Sequence, residues 1–137
     1  MHLSVTTPRG ALVHIDVDEI AAPGVLGEFG VLPGHVPFMT GLKPGVLVYR
    51  TKDGPRFLAL GDGVLQVTRS EDQDKIAVLV DRGEAAADID REAAAQELAA
   101  VDAELAKSKA ETAAEVKALL SRRAWAAARA DAVSRVK

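Results

Sequence analysis

Glycine and proline stop at Gly83. All 11 glycines and all 6 prolines of the 137-residue chain lie at or before that position, and Glu84 to Lys137 contains neither. Alanine reverses the pattern, with 5 copies before the break and 20 after it. Glycine and proline cost about 1 and 3 kcal/mol in a helix interior, where alanine is the best former. The chain is therefore predicted to change from turn-rich β structure to uninterrupted helix at one place. The division is 1–84 for the β unit and 85–137 for the helical unit, an α+β protein in two parts.

Within the first unit apolar residues alternate. "VHIDV" sets Val13, Ile15 and Val17 on one face and His14 and Asp16 on the other, the period of a half-buried strand. "VLVYRT", "RFLAL", "VLQVT" and "KIAVLV" repeat the pattern, separated by the turn sequences "KDG", "GDG" and "EDQD". Eight or nine such strands without an intervening helix predict an antiparallel sandwich or barrel. In "GEFGVLPGHVPFMTGLKPGVLV", Gly27, Gly30 and Gly34 permit sharp or left-handed turns, while Pro33 and Pro37 stiffen the backbone around them. A rigid surface loop presenting short side chains is expected there.

The second unit reads as helix from about Asp88, the expected N-cap. Ala94, Leu98, Val101 and Leu105 make one stripe; Val116, Leu119, Ala126, Ala130 and Val133 make a second. Between them lies "KSKAET", where Ser108/Glu111 and Thr112/Glu115 both suit a capping box. An antiparallel helical hairpin is expected, although a corner without glycine or proline also allows one continuous helix. Charge favours the hairpin: Glu84 to Glu115 carries nine acidic and three basic residues, net −6, and Val116 to Lys137 six basic and one acidic, net +5. Such arms attract each other, or the basic arm serves an acidic partner.

A net charge of −3 gives no electrostatic case for nucleic acid or an anionic membrane. The absence of cysteine removes disulfides, thiol catalysis and thiolate metal sites. "MHLSVTTPRG" has neither the apolar core of a secretory signal nor the character of a transit peptide. No apolar run approaches the roughly 20 residues of a membrane helix. His14, Asp16 and Asp18 share one strand face and could present metal ligands, but an exposed polar face explains the same spacing. Phosphate loops and nucleophile elbows are missing, so no catalytic constellation is expected.

The segment "VDEIAAPGVLGEFGVLPGHVPFMTGLKPGVLVYR" resembles the epsilon subunit of bacterial and plastid F-type ATP synthases, called delta in mitochondria. "GEFGVLPGHVPFMTGLKPG" matches that family's Gly-Glu-Leu/Ile-Gly-x-x-Pro-x-His-Ala-Pro segment, with Phe29 and Val36 as departures. The resemblance continues through "LALGDGVLQV", "DIDREAAAQELAAVDAEL" and "SRRAWAAAR", in order along nearly the whole chain. It implies a ten-stranded β-sandwich followed by two helices, a non-catalytic rotor subunit between the gamma stalk and the membrane c ring. It implies peripheral attachment at the cytoplasmic face of the bacterial plasma membrane and service in proton-driven ATP synthesis. The helical pair would fold against the sandwich or extend into the alpha/beta catalytic head, where it restrains ATP hydrolysis.

By that resemblance Glu28 becomes a c-ring contact and His35 a gamma contact. Arg122, Arg123 and Arg129 become candidates for an acidic segment of the β subunit. Helix geometry alone puts Trp125 on the far side of its helix from Leu119, as a partner anchor, a cover for the sandwich or a second seam. Some relatives bind ATP through Ile/Leu-Asp-x-x-Arg-Ala. Here Ile89, Asp90 and the final alanine match, with Glu84 upstream, but Ala93 replaces the arginine that would hold phosphate. Arg91, two residues away, is expected to point elsewhere. Ordinary helix capping is therefore favoured over a nucleotide site. Two other readings stand beside the rotor: a free ligand-binding sandwich with a coiled-coil tail, and a metal-dependent enzyme using His14, Asp16 and Asp18.

Overall fold

The computed structural model describes residues 1–109 and 112–136. Among them ten strands come first: β1 His2–Thr7, β2 Gly10–Asp16, β3 Glu19–Gly24, β4 Gly27–Val31, β5 Phe38–Leu42, β6 Gly45–Thr51, β7 Gly54–Leu60, β8 Gly63–Ser70, β9 Gln73–Val80 and β10 Gly83–Ala85. A 3₁₀ turn at Ala86–Asp88 leads into α1 Arg91–Lys107 and α2 Ala113–Ser134.

The strands form one hydrogen-bonded path, β10-β7-β6-β3-β5-β8-β9-β1-β2, with β4 paired to β3. β3 and β5 meet at a single pair, Gly24 with Leu42. On either side of that join the inward residues face one another. Ile20, Leu47, Leu58 and Leu60 from one half pack with Leu3, Leu65, Val67, Ile76 and Val78 from the other. β9 shows the two-residue period most clearly, with Asp74, Ile76, Val78 and Val80 buried and the residues between them exposed. The "EDQD" turn is a two-residue connection in which Glu71 and Asp72 adopt φ of 51° and 64°. Both signs match the twist of the strands it joins.

The glycine-rich segment is mostly strand, which corrects the expected surface loop. β4, β5 and the start of β6 take up most of it, leaving residues 32–37 and 43–44 outside regular structure. Gly27 and Gly34 do adopt left-handed φ, 126° and 85°. Gly30 does not; it pairs with Ala21 as an ordinary strand residue.

The helical unit is a hairpin. At Ser108 the backbone turns to ψ 134°, ending α1, and Thr112 opens α2 by accepting the Glu115 amide at 3.1 Å. The alternative Ser108/Glu111 box falls on Glu111, outside the described residues. The first helix is capped by Asp90, not Asp88: the Asp90 carboxylate accepts the Ala93 amide at 3.0 Å, while Asp88 closes the 3₁₀ turn. The extra turn buries Ala86 and Ile89 against the sandwich, so the helix begins two residues later than its sequence suggests.

α2 packs on the outer surface of β6 and β7, where Ala128, Ala132 and Val133 meet Val46 and Ala59. Alanines at the contact bring the helix close to the sheet. All four buried residues of α2 lie at or after Ala126. Its first half carries Val116 and Leu120 at 42% and 53% exposure, so Val116 does not join the buried stripe as expected.

Candidate docking surface and helical latch

The two outer surfaces of the sandwich differ. One lies beneath α2. On the other, β5, β8 and β9 expose Met39, Val64 and Leu79, the first at 65%. The strand register makes these one surface: Met39 is opposite Gln66, Gly41 opposite Val64, and Val64 opposite Leu79. Val25 reaches over Gly41, where an added Cβ would stand 3.2 Å from its Cγ1. The turn beside it presents Leu26, 99% exposed. A contiguous apolar surface of this kind is a candidate interaction site.

Residues 32–37, which lead from β4 into β5, are held by side chains of β8 and β9. Gly34 donates its amide to Asp74 Oδ2 at 2.7 Å, and Arg69 reaches Asp74 Oδ1 at 3.3 Å. Asp74 is the single charged residue in the buried set among the described residues, although "EDQD" reads as turn chemistry. Its place in the Asp74-Ile76-Val78-Val80 alternation is the signal in the sequence that marks it as inward. His35 is half-buried, its ring 4.8 Å from Phe38, with Nδ1 donating to the Val36 carbonyl at 2.8 Å. Leu32 and Val36 stand exposed beside it. Glu28 is exposed on β4, opposite Pro23.

Arginines fasten the hairpin. Arg122 pairs with Glu104 at 3.0 Å and Arg123 with Asp102 at 2.8 Å, both largely in solvent. Arg129 is different, with only 18% of its side chain exposed. It donates to Glu84 of β10 at 3.0 Å and also to Glu97 of α1. One guanidinium thus ties α2 to the sandwich and to the other helix. Burial works against its charge, but the hydrogen bond and field of Glu84, joined by those of Glu97, prevail and hold its pKa above the ordinary arginine value.

The region around the degenerate nucleotide motif is satisfied internally. Asp90 caps α1, and Glu84 belongs to the Arg129 clasp. Arg91 turns across to α2, donating to the carbonyls of Val133 and Val136 at 3.0 and 2.8 Å. There it closes the last turn and complements the helix dipole. Ala93 contributes no side-chain donor. Trp125 lies over the sandwich with the α2 contact, and Arg82 stacks on its ring at 5.0 Å. Apolar stripes engaged this way do not favour a coiled-coil tail.

His14 and Asp16 face outward beside His2, while Asp18 lies past β2 with its amide on the Arg50 carbonyl at 2.8 Å. Among the described residues no group of three or more histidine, aspartate or glutamate side chains is placed to hold a metal ion.

Residues 1–86 match the model of the family described as ATP synthase, Delta/Epsilon chain, beta-sandwich domain. The chain belongs to this family. Relatives named ATP synthase epsilon chain agree through part of the helical unit as well. The one from Citrifermentans bemidjiense is 42% identical over 105 residues, covering 77% of this chain and 73% of the relative. The one from Geobacter sulfurreducens is 42% identical over 107 residues, covering 78% and 75%. A chain in the Euglena gracilis mitochondrial ATP synthase OSCP/F1/c-ring structure superposes with a TM-score of 0.77 at 21% identity, covering 97% of this chain and 80% of that one. One in the Tetrahymena thermophila mitochondrial ATP synthase central stalk/c-ring structure gives 0.59 at 18%, covering 97% and 96%. At those identities the likeness is one of fold. In this member of the delta/epsilon family, no described helix is long and apolar enough to cross a membrane.

Proposed function

We propose that this chain is a non-catalytic rotor subunit of a proton-driven ATP synthase, joining the gamma stalk to the c ring. The bare apolar surface of Met39, Val64, Leu79 and Val25 supports that reading most directly, because the opposite outer surface already carries α2. Gamma takes the sheet surface together with residues 32–37, and the c ring takes the Val25–Glu28 end. His35 and Glu28 stand at those two places. The subunit is peripheral, attached through the complex to the cytoplasmic face of the bacterial plasma membrane.

In this reading the hairpin has a docked and an extended state, and each is favoured by what its arginines contact. Docked, Arg122, Arg123 and Arg129 pair with the chain's own carboxylates. Extended, they meet acidic surface on the alpha/beta head and restrain ATP hydrolysis. Co-purification of the tagged chain from its host tests the rotor role, with gamma and c-ring proteins expected in the eluate. Recovery without either would overturn it. Deleting residues after Asp88 tests the regulatory role in the assembled complex, where ATP hydrolysis is expected to rise. Unchanged hydrolysis would remove that role alone.

A further inference from the structure

We propose that His2 and His14 form a two-imidazole site for one divalent transition-metal ion of the zinc type, with Asp16 setting the tautomer of His2. The antiparallel β1–β2 register places His2 opposite Asp16 and Ser4 opposite His14, so the three side chains share one surface. His2 Nδ1 lies 2.9 Å from Asp16 Oδ1, and His2 Nε2 lies 3.2 Å from His14 Nδ1. The ring centroids are 4.3 Å apart and the planes cross at 74°.

A carboxylate only accepts hydrogen bonds, so His2 carries its proton on Nδ1 and offers the Nε2 lone pair toward His14. Carboxylate, imidazole and metal stand in the same sequence in zinc proteins, where the outer carboxylate fixes ring orientation and raises ligand basicity. Two nitrogens each about 2.0–2.1 Å from a tetrahedral zinc ion lie roughly 3.3 Å apart. The observed 3.2 Å is close to that separation. The ring centroids, 4.3 Å apart, are closer than the roughly 5 Å of two imidazoles aimed at one tetrahedral ion, so the exposed His14 ring turns as its proton moves from Nδ1 to Nε2 and a metal ion takes the place of the shared hydrogen. Two strands of one ladder hold the pair, and the His2 side chain is only 24% exposed. Water completes the coordination, since the exposed His14 side stays open. Imidazole donors without thiolate select borderline ions such as Zn²⁺ and Cu²⁺ over Mg²⁺ and Ca²⁺.

The site lies on the same outer surface as Met39, Val64 and Leu79, because β1 continues the β5-β8-β9 order. Metal binding nevertheless stands independently of the rotor reading.

The test is a Zn²⁺ titration of the full chain, prepared without a polyhistidine tag, followed by calorimetry and histidine ring NMR. One equivalent is expected to bind, moving the ring resonances of His2 and His14 but not those of His35, whose Nδ1 is engaged with Val36. H14A should weaken binding by at least about tenfold and D16N by roughly tenfold, with H35A as wild type. Circular dichroism confirms that each variant is folded. Equal affinity in wild type and H14A, or a dissociation constant weaker than about 1 mM, would overturn the proposal.

Discussion

Arg129 and Glu84 meet at 3.0 Å, joining the second helix to the last strand of the sandwich. Because the same guanidinium reaches Glu97, this contact holds the docked hairpin at a point where three elements converge. Hydrogen bonds to charged, mostly buried groups are worth about 1.5–3 kcal/mol each. Arg129→Gln is expected to destabilise the docked state by about 2 kcal/mol, a shift of roughly 30-fold in the equilibrium. Energy transfer between dyes at Arg56 and Lys117 measures it; an unchanged distance distribution would contradict the latch.

Salt and pH should act differently on that equilibrium. The Arg122–Glu104 and Arg123–Asp102 pairs are about half exposed, so each contributes at most about 1 kcal/mol and is screened by added salt. Arg129 has a raised folded pKa, so its contribution is complete below the unfolded arginine value and is lost only as pH rises through the folded one. Its share of docking is therefore flat between about pH 6 and 9. Raising salt should loosen the hairpin in the same dye experiment, whereas in R129Q the remaining salt response should be smaller. A stronger salt response in R129Q would contradict this assignment.

Asp74 holds residues 32–37 from inside the sheet. Asp74→Ala leaves the Gly34 amide without its acceptor and is expected to cost about 1–3 kcal/mol in urea unfolding, with Asp74→Asn milder. Amide exchange at Gly34 should accelerate selectively in both. Uniform acceleration across the sandwich would show that Asp74 supports the core and not the loop.

Met39→Glu separates docking from folding. At 65% exposure the side chain contributes little to the core, so stability should change by no more than about 0.5 kcal/mol. Co-purification with the stalk should nevertheless fall sharply, because a carboxylate would be buried in an apolar interface. Full retention of the stalk proteins would move the interface off this surface.

Much of this architecture is legible in composition and period. The loss of glycine and proline at Gly83 coincides with the start of the last strand, and the opposed charges of the two arms become the Arg122–Glu104 and Arg123–Asp102 pairs. Local signals fail where tertiary packing chooses between near-equivalent residues. Asp88 and Asp90 are both good N-caps, and burial of Ala86 and Ile89 decides for the second. Val116 has the spacing of a buried residue but lies on the half of α2 that shows no buried residue. The Glu84–Arg129 clasp joins residues 45 positions apart, and the His2–His14 contact depends on a diagonal across two strands. Neither distance leaves a periodic trace.

Arg91 at the first turn of one helix grips the carbonyls of Val133 and Val136 at the far end of the other. The hairpin is therefore a closed circuit with its fastening at the hinge. Progressive trimming from the carboxyl side should behave as a step, changing abruptly once Val133 is gone. A fluorescent protein fused after Val136 would sit on that fastening, making an internal label at the Ser108–Thr112 corner the gentler reporter.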